Sequence, residues 1–303
     1  MNYNTTKDYD CQVKRIFQKL EIKKRNNKKV IGWLDEIGEG EKAEKIRQCG
    51  QHIGITDIDG IAKIIKADFC RERLCAVCAW RRQAKFVSQM NPVIDVMTSR
   101  GYQFLFATLT VKNTRYEDLK KTVDIMMKGY DRLCKRRKIK RAWVGITRSL
   151  ELTYNEIERT FHPHIHLLIA VNDDYFNNPD KYINSKELSV MWAECVDVDY
   201  LPIVDIRKVD NTDRATVETL KYALKPTDAT LAYKAFFYVL KGRRLISFCG
   251  VFQKIRNELK YSDFENILTD DIEKKGKKIT YDLYTFDATG GVYTFTSKYE
   301  INL

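Results

Sequence analysis

Three of the chain's four histidines occupy alternate residues of one apolar run, Phe161-His162-Pro163-His164-Ile165-His166-Leu167-Leu168-Ile169. Side chains alternate between the faces of an extended strand, so residues 162, 164 and 166 share one side while Ile165 and Leu167 pack the other. Two imidazoles aimed together can hold a metal, although a half-buried strand also carries histidines for packing alone. A hairpin turning between Asn155 and Thr160 sets Glu151 directly across from His164, with Cβ atoms roughly 5 Å apart. Glu151 is therefore the expected third ligand beside His164 and His166. His162 is its competitor, because a one-residue slip of register would turn Glu151 to the opposite face. Two imidazoles and a carboxylate with open positions suit Mn²⁺ or Mg²⁺, and would accept Zn²⁺ or Co²⁺.

A second group lies in Arg214-Ala215-Thr216-Val217-Glu218-Thr219-Leu220-Lys221-Tyr222-Ala223-Leu224-Lys225. A helix over 213–225, stopped by Pro226, gathers Glu218, Tyr222 and Lys225 on one face and Val217, Leu220 and Leu224 on an apolar stripe. Taken alone this is an ordinary helix surface. Beside a metal that polarises a phosphodiester it becomes a nucleophile with its helpers. A phenol of pKa about 10 attacks weakly unless a cation assists, and Lys225 supplies one. Attack by Tyr222 on phosphorus yields a 5′-phosphotyrosine and a free 3′-hydroxyl, which keeps the bond energy for later rejoining. Glu218, one turn upstream, can act as general base for a water or a second hydroxyl.

Cys70, Cys75 and Cys78, with Cys49 upstream, offer four thiols for a structural Zn²⁺, with His52 as an alternative to Cys49. Reduced core cysteines are the competing explanation. Cys11, Cys134, Cys195 and Cys249 stand alone and are expected to pack.

These groups need a scaffold. The 303 residues are 44% hydrophobic and 12% aromatic, enough for one large core or two smaller ones. Residues 1–48 form a charged N-terminal region with Lys23-Lys24-Arg25-Asn26-Asn27-Lys28-Lys29 as a break, and 49–100 form a cysteine-rich module. Residues 101–260 carry the catalytic groups, and 261–303 end in a hairpin around Ala288-Thr289-Gly290-Gly291. Gln103 to Val111, aromatic and β-branched, reads as a strand. Leu119, Val123, Met126, Met127, Tyr130 and Leu133 recur at helical spacing over 115–137, and 143–154 and 161–171 are the strands of the histidine hairpin. No apolar run approaches the ~18 residues of a membrane span. The start lacks the apolar segment of a signal peptide, so a cytoplasmic protein with free thiols is expected.

A formal net charge of +12 and a pI near 9.2 favour an acidic polymer, nucleic acid, as partner. Arg81, Arg82 and Lys85 after the cysteines, and Arg136, Arg137 and Lys140 in the run from Lys135 to Arg141, are the expected phosphate contacts.

The histidine strand, the Tyr222-Ala223-Leu224-Lys225 motif and the strand Phe106-Ala107-Thr108-Leu109-Thr110 with Asn113 together resemble the three ordered motifs of HUH endonucleases. More closely, the chain resembles rolling-circle replication initiators of small Gram-positive plasmids, the single-tyrosine Rep class, over about residues 70–260. Phe69-Cys70-Arg71-Glu72-Arg73-Leu74-Cys75-Ala76-Val77-Cys78-Ala79-Trp80-Arg81-Arg82 is similar to a cysteine-rich segment of that class, with Ala76 where many relatives have proline. The resemblance implies an α+β fold with an HUH-type central antiparallel sheet flanked by helices, preceded by a cysteine-rich zinc module. It implies His164 and His166 as metal ligands, Tyr222 as nucleophile, and Glu218 as the group that activates water at termination. It also implies origin DNA, single-stranded or hairpin, as substrate, with a host helicase, DNA polymerase and single-strand binding protein as partners. Strand-specific nicking and strand transfer at a plasmid double-strand origin is the expected function. Its rivals are a zinc-containing DNA-binding protein without catalysis and an HUH transposase or relaxase.

Overall fold

The computed structural model describes residues 3–209, 230–261 and 278–302. The described helices are α1 (Tyr3–Glu36), α2 (Gly40–Gln48), α3 (Ala76–Ser99), α4 (Tyr116–Lys135), α5 (Arg137–Ala142), α6 (Ser185–Val196), α7 (Thr230–Val239) and α8 (Val251–Glu258). The strands are β1 (His52–Ile58), β2 (Ile61–Ala67), β3 (Gln103–Thr110), β4 (Gly145–Asn155), β5 (Thr160–Val171), β6 (Val204–Lys208), β7 (Ile246–Gly250), β8 (Lys278–Asp287) and β9 (Val292–Asn302). The fold is α+β with two antiparallel sheets, and the chain divides into two compact units, residues 1–85 with 263–303 and residues 86–262. The expected N-terminal region, the cysteines and the final hairpin therefore share one unit. None of the described helices is long and apolar enough to cross a membrane.

The first unit holds a four-stranded sheet in the order β2-β1-β8-β9. The final hairpin forms as expected, but β1 and β2 are an addition to the sequence reading. Asp59 and Gly60 join them with φ of 55° and 79°, the left-handed pair that closes a tight hairpin. α1 lies on this sheet, with the Phe17 ring 4.6 Å from Tyr284 and 4.8 Å from Tyr293. The basic run expected to break the chain instead continues α1. Leu20, Asn27, Val30 and Leu34 are buried at helical spacing through it, and the intervening charges form the solvated side.

The second unit is built on a five-stranded sheet in the order β6-β3-β5-β4-β7. β4 and β5 are buried on both faces for most of their length; β5 continues as an apolar run after His166, whereas β4 buries Thr147, Arg148, Ser149 and Glu151 among its apolar residues. Their hairpin has the register that a turn after Asn155 requires, with Glu151 opposite His164. Pro163 is tolerated within β5 because its nitrogen points toward the β3 side, where β3 has already ended. The last β3 partner is Thr110 opposite His164, and pairing resumes only at the Thr114–Phe161 bridge. α4 buries Leu119, Val123, Met126, Tyr130 and Leu133. It approaches α6 closely at Gly129, where a Cβ would stand 2.6 Å from Val196 Cγ1. On the other face Phe86 stacks on Phe248 at 5.2 Å and Phe252 lies 6.2 Å from Phe104, covering one half of that side. The histidines lie on the other half of that side. Among the isolated cysteines, Cys195 is buried and Cys134 half-buried, but Cys11 and Cys249 are exposed, so packing does not account for those two.

Arg148 on β4 is buried, on the face opposite Glu151. Its guanidinium donates to Ser247 Oγ, the Arg244 carbonyl and Met127 Sδ, each at 3.0 Å, and lies 5.4 Å from the Tyr130 ring. It thereby fastens β7 and the turn before it to β4. Arg148→Met keeps an apolar stem but removes every donor, and should lower the unfolding free energy in urea by about 2–3 kcal/mol. An unchanged denaturation midpoint would show that β7 is held without it.

Candidate functional site

Pairing of β3, β5 and β4 aligns side chains in rows across one face. Thr108, His166 and Ser149 form one row, and Thr110, His164 and Glu151 the next. Glu151 Oε2 lies 3.0 Å from His164 Nε2 and 2.8 Å from His166 Nε2. All three side chains are buried, with residue exposures of 1%, 7% and 8%. Behind them, His164 Nδ1–H donates to the His162 carbonyl at 3.1 Å, and His166 Nδ1 lies 3.1 Å from Thr108 Oγ1. These outer contacts orient the rings.

The His164 bond also sets a tautomer. With its proton on Nδ1, the neutral ring presents a lone pair at Nε2 to a carboxylate oxygen 3.0 Å away. Two acceptors hold that separation comfortably only with a proton or a cation between them. Burial pushes the Glu151 pKa upward, but hydrogen bonds with His164 and His166 outweigh it and hold the carboxyl well below the usual range. A carboxylate with a lowered pKa and two imidazoles make a group that can bind a metal. His162 shares the face and is half-buried, its ring 5.3 Å from His164. The donor atoms within 4.8 Å of one another are those of Glu151, His164 and His166.

The sequence reading missed the edge strand β6. Asp205 aligns with Thr108, and Arg207 aligns with Phe106, whose ring stacks on His166 at 5.5 Å. The Arg207 guanidinium sits 5.0 Å from the Phe106 ring centre. The only signal was the alternation Val204-Asp205-Ile206-Arg207-Lys208, too short to stand out. Tyr222, Glu218 and Lys225, with the helix expected over 213–225, lie outside the described residues.

In the first unit the second metal-competent group forms from Cys49, Cys70, Cys75 and Cys78. Cys78 Sγ lies 3.5 Å from Cys49 Sγ and 3.6 Å from Cys70 Sγ, and backbone N–H groups of Cys70 and Arg71 point at Cys49 and Cys78 sulfurs. Hydrogen bonding from Cys70 and the other thiols pushes the Cys49 pKa up. Burial also raises that of Cys75, but hydrogen bonds from its three neighbours draw it well below the ordinary value. His52 is outside the group, its Nδ1 2.7 Å from Asp68 Oδ2. Asn27 of α1, buried, donates to Cys75 Sγ at 3.4 Å and accepts the Ala76 N–H at 2.7 Å, so it both braces a thiol and caps α3.

The expected phosphate contacts separate into two kinds. Arg81, Arg82 and Lys85 are buried, which corrects their reading as an open basic grip; Arg82 donates to the Arg71 carbonyl and Arg81 lies over the Phe69 ring. Arg137 and Lys140 are exposed on α5, while Arg136 is half-buried and pairs with Glu194 at 2.5 Å.

A family model described as replication protein, Rep_1, matches residues 61–293. The chain is 34% identical over 286 residues to a "Protein rep" of Streptococcus pneumoniae serotype 2, covering 89% of each chain. It is also 34% identical over 257 residues to a "Protein rep" of Bacillus amyloliquefaciens, covering 75% of each. A third, from Lactiplantibacillus plantarum, is 33% identical over 249 residues, covering 76% of this chain and 78% of that one. No solved structure matches the chain.

Asn27 gives this geometry a direct test. Asn27→Ala strips the Ala76 N–H of its partner and should cost about 1–3 kcal/mol of unfolding free energy. It should also speed reaction of the four clustered thiols with a thiol reagent. Equal stability and equal thiol reactivity would show that α1 does not brace the cluster.

Proposed function

The chain belongs to the Rep_1 family of replication proteins, and on that premise we propose that it is a plasmid rolling-circle replication initiator that nicks one strand of origin DNA and transfers it through a tyrosine. The observation that carries this reading is the buried carboxylate shared by two oriented imidazoles, Glu151 with His164 and His166. Mn²⁺ or Mg²⁺ held by those three would polarise the phosphodiester and offset its developing charge. Tyr222 Oη attacks the phosphorus, the bond from phosphorus to the 3′-oxygen breaks, and that oxygen leaves as a 3′-hydroxyl with the proton the phenol gives up. Lys225 stabilises the phenolate, and Glu218 later activates the water or hydroxyl that resolves the phosphotyrosine. The nicking function is assigned to the unit of residues 86–262, and the cysteine module to the unit of residues 1–85 with 263–303.

Zn²⁺ fits the thiol group. A tetrahedron with Zn–S bonds of about 2.3 Å has edges of about 3.8 Å, close to the 3.5 and 3.6 Å between its sulfurs. Arg136, Arg137 and Lys140 add non-specific attraction for phosphate. Arg81, Arg82 and Lys85 support the cysteine module and act on DNA through it. The substrate is single-stranded or hairpin origin DNA in the cytoplasm, and a host helicase, polymerase and single-strand binding protein continue from the free 3′-end.

Incubation with Mn²⁺ and labelled hairpin oligonucleotides from the replicon's origin should yield a covalent adduct on denaturing gels. Its absence on every cognate strand would leave a DNA-binding protein without catalysis. Tyr222→Phe should abolish the adduct, and Glu218→Ala should spare cleavage while slowing release. Glu151→Ala should weaken Mn²⁺ binding by about 10–100-fold; an unchanged titration would move the third ligand to His162.

A further inference from the structure

We infer that Arg207 is a substrate-binding residue of this site, holding a backbone phosphate of the single strand next to the one that reacts; the inference rests on the nicking function proposed above. Strand register supplies the position. Arg207 is opposite Phe106 on β3, in the row beside that of Thr108 and His166, and on the same face as Glu151 and His164. β6 is separated from β5 only by β3, about 10 Å at two strand spacings. A phosphate beside Arg207 and a phosphate at the Glu151–His164–His166 group therefore fit a continuous stretch of one strand.

Packing holds the arginine in place without burying it. Phe106 is 3% exposed, fixed between His166 on one side and the Arg207 guanidinium on the other. Arg207 Nη1 lies 3.5 Å from Asp205 Oδ2, two residues away on the same face, and both side chains stay half-exposed at 55% and 50%. The contacts leave the guanidinium half-exposed, so an anion can reach it beside them. A phosphate offers charge and two oxygens matched to the guanidinium fork, which a lysine cannot engage in the same way. The aromatic ring stiffens the approach, so the cation is presented rather than searching. The metal-binding group is otherwise lined on β3 and β4 by neutral Thr108, Thr110 and Ser149, so Arg207 is the described cation of the sheet nearest to it on this face.

The test uses the full chain, Mn²⁺ and a fluorescent single-stranded oligonucleotide carrying the replicon's nick sequence. Binding is read by anisotropy and chemistry by adduct formation. Arg207→Ala should weaken binding about tenfold and lower the slope of log affinity against log salt by about one. Mn²⁺ titration and thermal unfolding should stay as in the wild type. Arg207→Lys should restore the salt slope but only part of the affinity. A neutral methylphosphonate placed singly along the oligonucleotide should weaken wild-type binding at one phosphate near the nick, and Arg207→Ala should be indifferent to that substitution. Unchanged affinity and salt slope in Arg207→Ala, or a methylphosphonate profile identical in both proteins, would overturn the inference. Absence of adduct in the wild type would instead overturn nicking, because the binding measurements need no chemistry.

Discussion

The second unit depends on one shared carboxylate oxygen. Glu151 Oε2 stands between His164 Nε2 and His166 Nε2, three polar groups buried together on one face of the sheet. An ionised carboxylate in such surroundings is tolerated only with good partners, and removing any of them leaves an uncompensated buried group. The requirement propagates outward. His164 must donate from Nδ1 to its own strand's backbone, Thr108 must face His166, and β3, β4 and β5 must keep the register that makes both true. The same geometry that is costly in an apolar core is what a divalent cation needs.

Much of this was readable from residue order because it is local. The turn after Asn155 sets the hairpin, the hairpin sets Glu151 opposite His164, and strand alternation does the rest. α4 was equally plain, since its apolar residues repeat at helical spacing over five turns. The thiol group was legible as composition, four cysteines of which three are clustered, and the choice of Cys49 over His52 follows the chemistry of like ligands.

What escaped the sequence depends on distant partners. Asn27 looks like one polar residue in a basic run, and only the docking of α1 turns it into a contact for Cys75 and a cap for α3. β1 and β2 carry a glycine, lysines and an aspartate within mixed patterns; they pair with each other, and β1 is held on its other side by β8, more than two hundred residues onward. Arg81 and Arg82 carry charges that suggest a surface, yet their stems and heads pack against Phe69 and the Arg71 carbonyl. Arg207 has meaning only beside Phe106, a neighbour that sequence distance conceals.

β4 shows why the register is so strongly specified. Arg148 and Glu151, three residues apart, are buried charges of opposite sign on opposite faces. One meets Met127, Ser247, the Arg244 carbonyl and the Tyr130 ring; the other meets two imidazoles. A slip by one residue would exchange the faces, driving the carboxylate against the α4 packing and the guanidinium toward the imidazoles, where it would repel any cation. Either misplacement leaves a buried charge without its partners, at a cost of several kcal/mol each. Apolar residues alone would leave the two registers of so symmetrically buried a strand closer in energy. The paired charges separate them, so the arrangement proposed to bind metal and the arrangement that folds are the same register.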